Sequence, residues 1–216
     1  MITALAVAAG PDTEIHERYH FFYRSPLGQW NKSSFAVDAM AFCCAEQFMM
    51  YQKAVLFDDV KTASDIMTTL IPKEHQTLGR KVIGFDSQIW STMKFDIVCW
   101  GNLAKFSQNR KLRALLLSTE NRILVEASPT DCIWGIGIGE DNPDRFDESK
   151  WRGKNLLGKA LMKIRLLLAN DSTEYSKLSE IKKRCIYRRL RKSKRHAISV
   201  GMASLKSWIT SGLSLW

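Results

Sequence analysis

The chain has 216 residues, 45% of them apolar, enough for one globular domain with a real core plus an appendage. Its formal charge of +10 invites a nucleic-acid reading, but residues 171–216 hold 11 Lys/Arg against 3 Asp/Glu, a net +8, and residues 1–170 keep only +2. With a nearly neutral body the overall charge gives no argument for long-range steering of polyanions by the main domain, and no apolar stretch approaches the length of a membrane span.

Cys43, Cys44, Cys99, Cys132 and Cys185 are odd in number and show no paired spacing. Residues 1–10 have no positive charge ahead of their short apolar run and make a poor signal sequence. A reduced compartment, cytoplasmic or nuclear, is therefore expected. His16, His20, His75 and His196 lie far apart in sequence and form no HExxH motif or Cys/His cluster. Neither a metal nor a redox cofactor is expected.

In chain order, residues 1–17 read as a flexible leader, His20 to Tyr23 as a short strand, and Ser25-Pro26-Leu27-Gly28 as a turn. Residues 39–57 form a mostly apolar run that suits a buried helix, started by Asp38 and stopped near Asp58-Asp59. Further helices are expected over 60–70, ended by Pro72, over 87–107 with Asp86 or Ser87 as N-cap, and over 110–117 behind Asn109. Ile123 to Val125 reads as a strand. Residues 128–154 read as a long Gly/Pro/Asp/Asn loop, of a length that usually means function, and 155–169 as the closing helix. A basic helix-like run from Lys182 to Arg195 and an apolar end, Leu205 to Trp216, fill the tail. The expected fold class is α+β, predominantly helical, as one compact domain over 18–170 with few short strands and a basic extension over 171–216.

Within 39–57 the only charges are Glu46 and Lys53. Seven residues is two helical turns, so both leave one face, roughly 10.5 Å apart along the axis. On a buried helix such groups must pair, shift pKa or meet a ligand. A polar stripe that simply faces solvent, helped by Gln47 and Gln52, gives the same spacing. The run Thr130-Asp131-Cys132-Ile133-Trp134-Gly135, continuing through Gly137 and Gly139, lets backbone approach a ligand closely, though each glycine also suits a plain turn. It is no dinucleotide fingerprint, because the spacing is GxGxG. Gly153-Lys154-Asn155 is not a P-loop either. Asn155 suits the N-cap of a helix whose terminus fits a phosphate, or a capped helix and nothing more. Trp90, Trp134 and Trp151 flank polar or Gly-rich stretches, as base-stacking residues do, while core burial is the default for any Trp.

An ordered series then ties these pieces together: Ala45-Glu46-Gln47-Phe48-Met49 with Gln52-Lys53-Ala54; Leu78-Gly79-Arg80; Phe85-Asp86 with Trp90 and Lys94; Lys105-Phe106 with Gln108-Asn109. It continues through Leu112-Arg113, Leu124-Val125-Glu126-Ala127, Asp131 with Trp134-Gly135-Ile136-Gly137, and Trp151 with Gly153-Lys154-Asn155, Leu157-Gly158 and Leu161-Met162. In order and spacing, over about 20–169, the chain resembles the NADAR (YbiA-like) family. It departs from the family at Cys43-Cys44 before the glutamate, at Phe48 after Glu46-Gln47, and in a longer 140–150 loop.

The resemblance implies an N-glycosidase that removes ADP-ribose from guanine bases or cleaves ribosylamino-pyrimidine phosphates of riboflavin synthesis. A non-catalytic ADP-ribose-binding module is the alternative. Breaking a ribose C1′–N bond builds oxocarbenium character, which suits Glu46 as acid/base with Asp131 as second carboxylate. Lys53 then serves as nucleophile through a Schiff base or as electrostatic partner. Arg80 and the Asn155 helix terminus are expected on phosphates, with Gly135 lining the approach and Trp90, Trp134 and Trp151 on base or ribose. Partners expected are the ribosyl substrate and, for the basic tail, ADP-ribosylated nucleic acid; no membrane partner is expected.

Overall fold

The computed structural model describes residues 17–169. The readings of a leader before Glu17 and of a basic extension over 171–216 lie outside the described residues. Within them the chain is the expected predominantly helical α+β domain, with six α-helices and four short strands among the described residues. Strand β1 (Tyr19–Phe22) pairs in parallel with β4 (Ile123–Glu126), with Tyr19 opposite Ile123 and Phe22 opposite Glu126. Nearly all the helices sit in the connection between them. They are α1 (Ala45–Leu56), α2 (Val60–Thr68), α3 (Pro72–Arg80), α4 (Ser87–Gln108) and α5 (Arg110–Leu117). Helix α6 (Leu156–Ala169) closes the domain against β4 and α4.

The helix expected from residue 39 starts later, because 35–42 form a hairpin. β2 (Phe35–Val37) and β3 (Met40–Phe42) are antiparallel, and Asp38 and Ala39 both take positive φ, as a two-residue hairpin turn requires. Phe35 and Phe42 stack across the pair at 5.8 Å, and Phe42 meets Phe48 of α1 edge-on at 5.1 Å. Period-two burial on Phe35 and Val37 is masked in the sequence by the long apolar run that follows. Gln108, at the end of α4, then acts as a further strand, accepting from Ala36 N and donating to Ala36 O, each at 2.8 Å.

Cys44 is therefore the N-cap of α1. Its Sγ accepts from Gln47 N at 3.5 Å, while Gln47 Oε1 reaches back to Cys43 N at 2.7 Å. This is a variant of the capping box, with sulfur in place of a hydroxyl and the return bond taken from the N–H one residue before the cap. Pro72, expected to stop α2, instead opens α3 at its first turn, where a missing N–H costs nothing. Asp86 caps α4 through Gln88 N and Ile89 N as expected. Asn109 stands at the start of α5 but spends its side chain on Ser34 O and Lys105 O. The 128–154 loop contains two single-turn 3-10 segments, Pro143–Phe146 and Glu148–Lys150.

The core between α1 and α4 is dense enough to dictate residue size. A Cβ on Gly101 of α4 would stand 2.4 Å from the Phe48 ring, so only glycine lets α4 approach that far. Lys105, also on α4, is fully buried, and its Nζ donates to Pro26 O at 3.0 Å and Gly28 O at 2.9 Å. Those bonds fix the 25–28 turn, and burial pushes the Lys105 amine down to about 7.

Candidate active site

Three carboxyl groups from three separate elements meet electrostatically. Glu46 lies in the first turn of α1, Glu126 ends β4, and Asp131 sits in the loop beyond. Glu46 is buried at 4% exposure, yet its pKa is pushed up to about 8, first by desolvation and then by the charge of Asp131. A Trp30 side-chain hydrogen bond and the Arg80 charge pull it partly back. Glu126 is raised to about 8 by the same kind of burial, with Asp131 and Glu46 adding repulsion, and its Oε2 is buried with no hydrogen-bond partner. Asp131 is held in orientation because its Oδ1 accepts from Ile133 N and Trp134 N, each at 2.8 Å.

Lys53 lies two turns along α1 and is also buried. Its Nζ donates to Gly79 O of α3 at 2.6 Å and stands over the Phe85 ring at 4.2 Å and the Trp90 ring at 5.6 Å. Burial and the neighbouring Arg80 both lower its pKa. Among the described residues no ion pair joins Lys53 to Glu46. Instead the exposed Arg80, ending α3, acts on both. The two α1 charges thus share a surrounding without neutralising one another.

Glu46, Lys53, Arg80, Trp90 and Asp131 are brought together, and Trp134 adjoins through its backbone bond to Asp131. Asn155 is not. Its positive φ and 2% exposure turn the side chain onto β4, where Nδ2 donates to Leu124 O at 2.9 Å and Oδ1 accepts from Glu126 N at 3.1 Å. The amides that were to hold a phosphate are also occupied: Leu156 N donates to Ile133 O and Leu157 N to Trp134 O. The expected side-chain cap and anion site are thereby replaced by a latch between the glycine loop and α6. Gly135 belongs to the same latch. Its carbonyl accepts from Asn155 N, and a Cβ there would stand 2.8 Å from Glu126 O. Trp151 donates its indole N–H to Arg145 O and packs edge-on against Tyr19, in a second core with Val125, Ile136 and Ile138.

Glu126, Trp30 and Phe85 were not expected as site residues, although Glu126 and Phe85 stand in the ordered series of the resemblance. Glu126 carried a usable signal, being a carboxylate between Val125 and Ala127 in an apolar strand, the same anomaly that marks Glu46. Phe85 carried only its place in that series, and Trp30 no signal. The histidine reading is also corrected. Helix α3 brings His75 against the cysteine pair, so Cys43, Cys44 and His75 offer ligand atoms within 4.8 Å of one another.

Comparison with known proteins adds the following. A family model described as "NADAR domain" matches residues 18–169. The chain is 50% identical over 124 residues to N-glycosidase R617 of Acanthamoeba polyphaga mimivirus, spanning 57% of this chain and 73% of that protein. It is 31% identical to N-glycosidase YbiA of Escherichia coli (strain K12), over 68% of this chain and 87% of the relative. The NMR structure of the E. coli protein YbiA superimposes with a TM-score of 0.58 at 25% identity, over 73% of this chain and 92% of that one. A riboflavin biosynthesis protein, PYRR of Arabidopsis thaliana, is 30% identical over 133 residues, only 20% of its length. No helix among the described residues is long and apolar enough to cross a membrane.

Proposed function

The chain belongs to the NADAR family, and from that premise we propose that it is an N-glycosidase hydrolysing a ribose C1′–N bond, with release of ADP-ribose from guanine bases as its reaction. The observation that carries this reading is the Glu46 carboxyl, buried beside two others and raised to about 8. Protonated at neutral pH, it has a proton for the leaving nitrogen. In the proposed step the C1′–N bond breaks as a water oxygen bonds to C1′. Glu46 protonates the departing base and Asp131 accepts the proton lost by water, steadying the oxocarbenium charge meanwhile. Arg80, exposed at the end of α3, offers a planar fork to phosphate oxygens, and Trp90 and Trp134 offer faces for the base. Lys53 acts either as a nucleophile, its amine displacing the base from C1′ of the ring-opened ribose to give an imine that water then hydrolyses to the free amine and the released sugar, or through its charge.

Incubating the full chain with a guanine-ADP-ribosylated oligonucleotide should release ADP-ribose. The riboflavin-synthesis relative favours a second substrate class, ribosylamino-pyrimidine phosphate, whose cleavage would release ribose 5-phosphate. Turnover of that substrate alone would shift the assignment, and tight ADP-ribose binding without turnover of either would make the domain a binding module. We further propose that the glycosidase domain ends at 170 and that 171–216, with its net +8, contacts nucleic acid. A chain ending at Asn170 should keep its rate on a small ADP-ribosyl substrate. Its affinity for long nucleic acid should fall, with the salt slope reduced by about 0.9 for each phosphate no longer neutralised. Failure on the small substrate together with a lower melting temperature would make the extension part of the domain.

A further inference from the structure

One buried cluster has no part in the proposed hydrolysis. Cys44 Sγ lies 3.8 Å from Cys43 Sγ and 3.8 Å from His75 Nδ1, and Cys44 and His75 are fully buried. We propose that Cys43, Cys44 and His75 bind a thiophilic cation of the Zn2+ type in tetrahedral geometry, fastening the start of α1 to α3.

The spacing is that of a tetrahedron's edges. Bonds of about 2.3 Å to sulfur put two sulfurs about 3.8 Å apart, and a bond of about 2.1 Å to nitrogen gives a mixed edge of about 3.6 Å. The third edge lies within 4.8 Å, so a bound cation would have to draw Cys43 Sγ toward the ring by up to about 1 Å. The imidazole is set in the required tautomer. His75 Nε2 lies 2.9 Å from Thr69 O, which can only accept, so Nε2 carries the hydrogen and the neutral ring turns its Nδ1 lone pair to the thiols. A carbonyl on the far nitrogen is the usual outer partner of a metal-bound histidine. Burial pushes the Cys44 thiol up to about 12, so the cation itself must displace that proton, helped by the Gln47 N–H already donated to Sγ. Binding would release the two thiol protons to solvent. Half-exposed Cys43 provides the access route, and a water would complete the tetrahedron.

The position gives the ion a consequence. Cys44 caps the helix that carries Glu46 two residues later, and His75 lies on the helix that carries Gly79 O and Arg80. Both arms of the candidate active site would be anchored at one point.

The test uses the full chain, reduced and freed of metal with a chelator. Zn2+ should bind with one equivalent and raise the melting temperature with the logarithm of free Zn2+. Co2+ should give the thiolate-to-cobalt charge-transfer band and the intense visible bands of a tetrahedral site. Cys44→Ser keeps a good N-cap, and His75→Gln retains a donor for Thr69 O; each should weaken binding more than about 100-fold. Cys132→Ser, at an exposed cysteine elsewhere, should leave it unchanged. Absence of the charge-transfer band, or Zn2+ binding that survives both Cys44→Ser and His75→Gln, would overturn the site.

Discussion

Two buried polar regions lie side by side in this domain and are built on opposite rules. In the latch between the 132–136 loop and α6, every amide from Arg152 to Leu157 donates to a carbonyl of the loop, and Asn155 uses both side-chain atoms on β4. In the carboxyl cluster, Glu46 is buried and Glu126 half-buried against a third acid, and the buried Glu126 Oε2 has no hydrogen-bond partner. Buried polar groups are ordinarily satisfied, and each unsatisfied one costs roughly 1–3 kcal/mol. The first region spends its polar atoms on stability, while the second leaves a buried carboxyl oxygen unpaired, as the proposed substrate site requires. Both share residue 126, whose backbone belongs to the latch and whose side chain belongs to the cluster.

Glu46→Gln puts this contrast to its hardest test. Turnover should fall at least about 100-fold, the scale for losing a positioned acid. Stability should move the other way. The carboxyl is raised in the folded state from 4.5 to about 8, so the stability tied to its retained proton is full below about 4.5 and is lost as pH rises to about 8. Gln does not titrate, so the variant's melting temperature should gain on the parent's across that window. Calorimetry at pH 5 and pH 8.5 beside a rate measurement checks both; an active variant, or one melting lower at pH 8.5, assigns Glu46 to structure.

Lys53→Ala should also abolish most turnover, and borohydride added during reaction should trap a covalent adduct on the parent protein. A dead variant without an adduct leaves Lys53 its electrostatic role. An active variant makes it a strut between α1 and the Gly79 carbonyl.

In the latch, Asn155→Ala leaves Glu126 N and Leu124 O without partners and an alanine at φ +49. The expected loss is about 2–4 kcal/mol, a melting temperature lower by roughly 5–15 °C, with turnover below the melt changed less than about tenfold. An unchanged melt with a large rise in KM would return Asn155 to the substrate.

The smallest effect is expected from Trp30→Phe, which removes a hydrogen bond that lowers the Glu46 pKa. The alkaline limb of kcat/KM, set by Glu46 losing its proton, should move to higher pH by a fraction of a unit. A limb that moves to lower pH, or does not move, would separate Trp30 from the acid.

Much of this was legible in the chain itself, because it rests on local rules. The α4 boundary at Asp86, the apolar course of α1 and the isolation of Glu46 and Lys53 follow from capping and from the scarcity of charge in an apolar helix. Asn155 was misread for a physical reason. A residue that suits an N-cap suits equally well any site needing positive φ and a paired donor and acceptor, and only the arrival of β4 decides which. The same holds for the partners of Glu46. Glu126 lies 80 positions along the chain and Asp131 arrives from a loop, so the three carboxyl groups come within electrostatic reach only once the long-range packing is complete. Cys44 and His75, 31 residues apart, meet because Pro72 begins a helix where sequence rules had one end. Local sequence determined which side chains were out of place in an apolar setting, while long-range packing decided which of them would face each other.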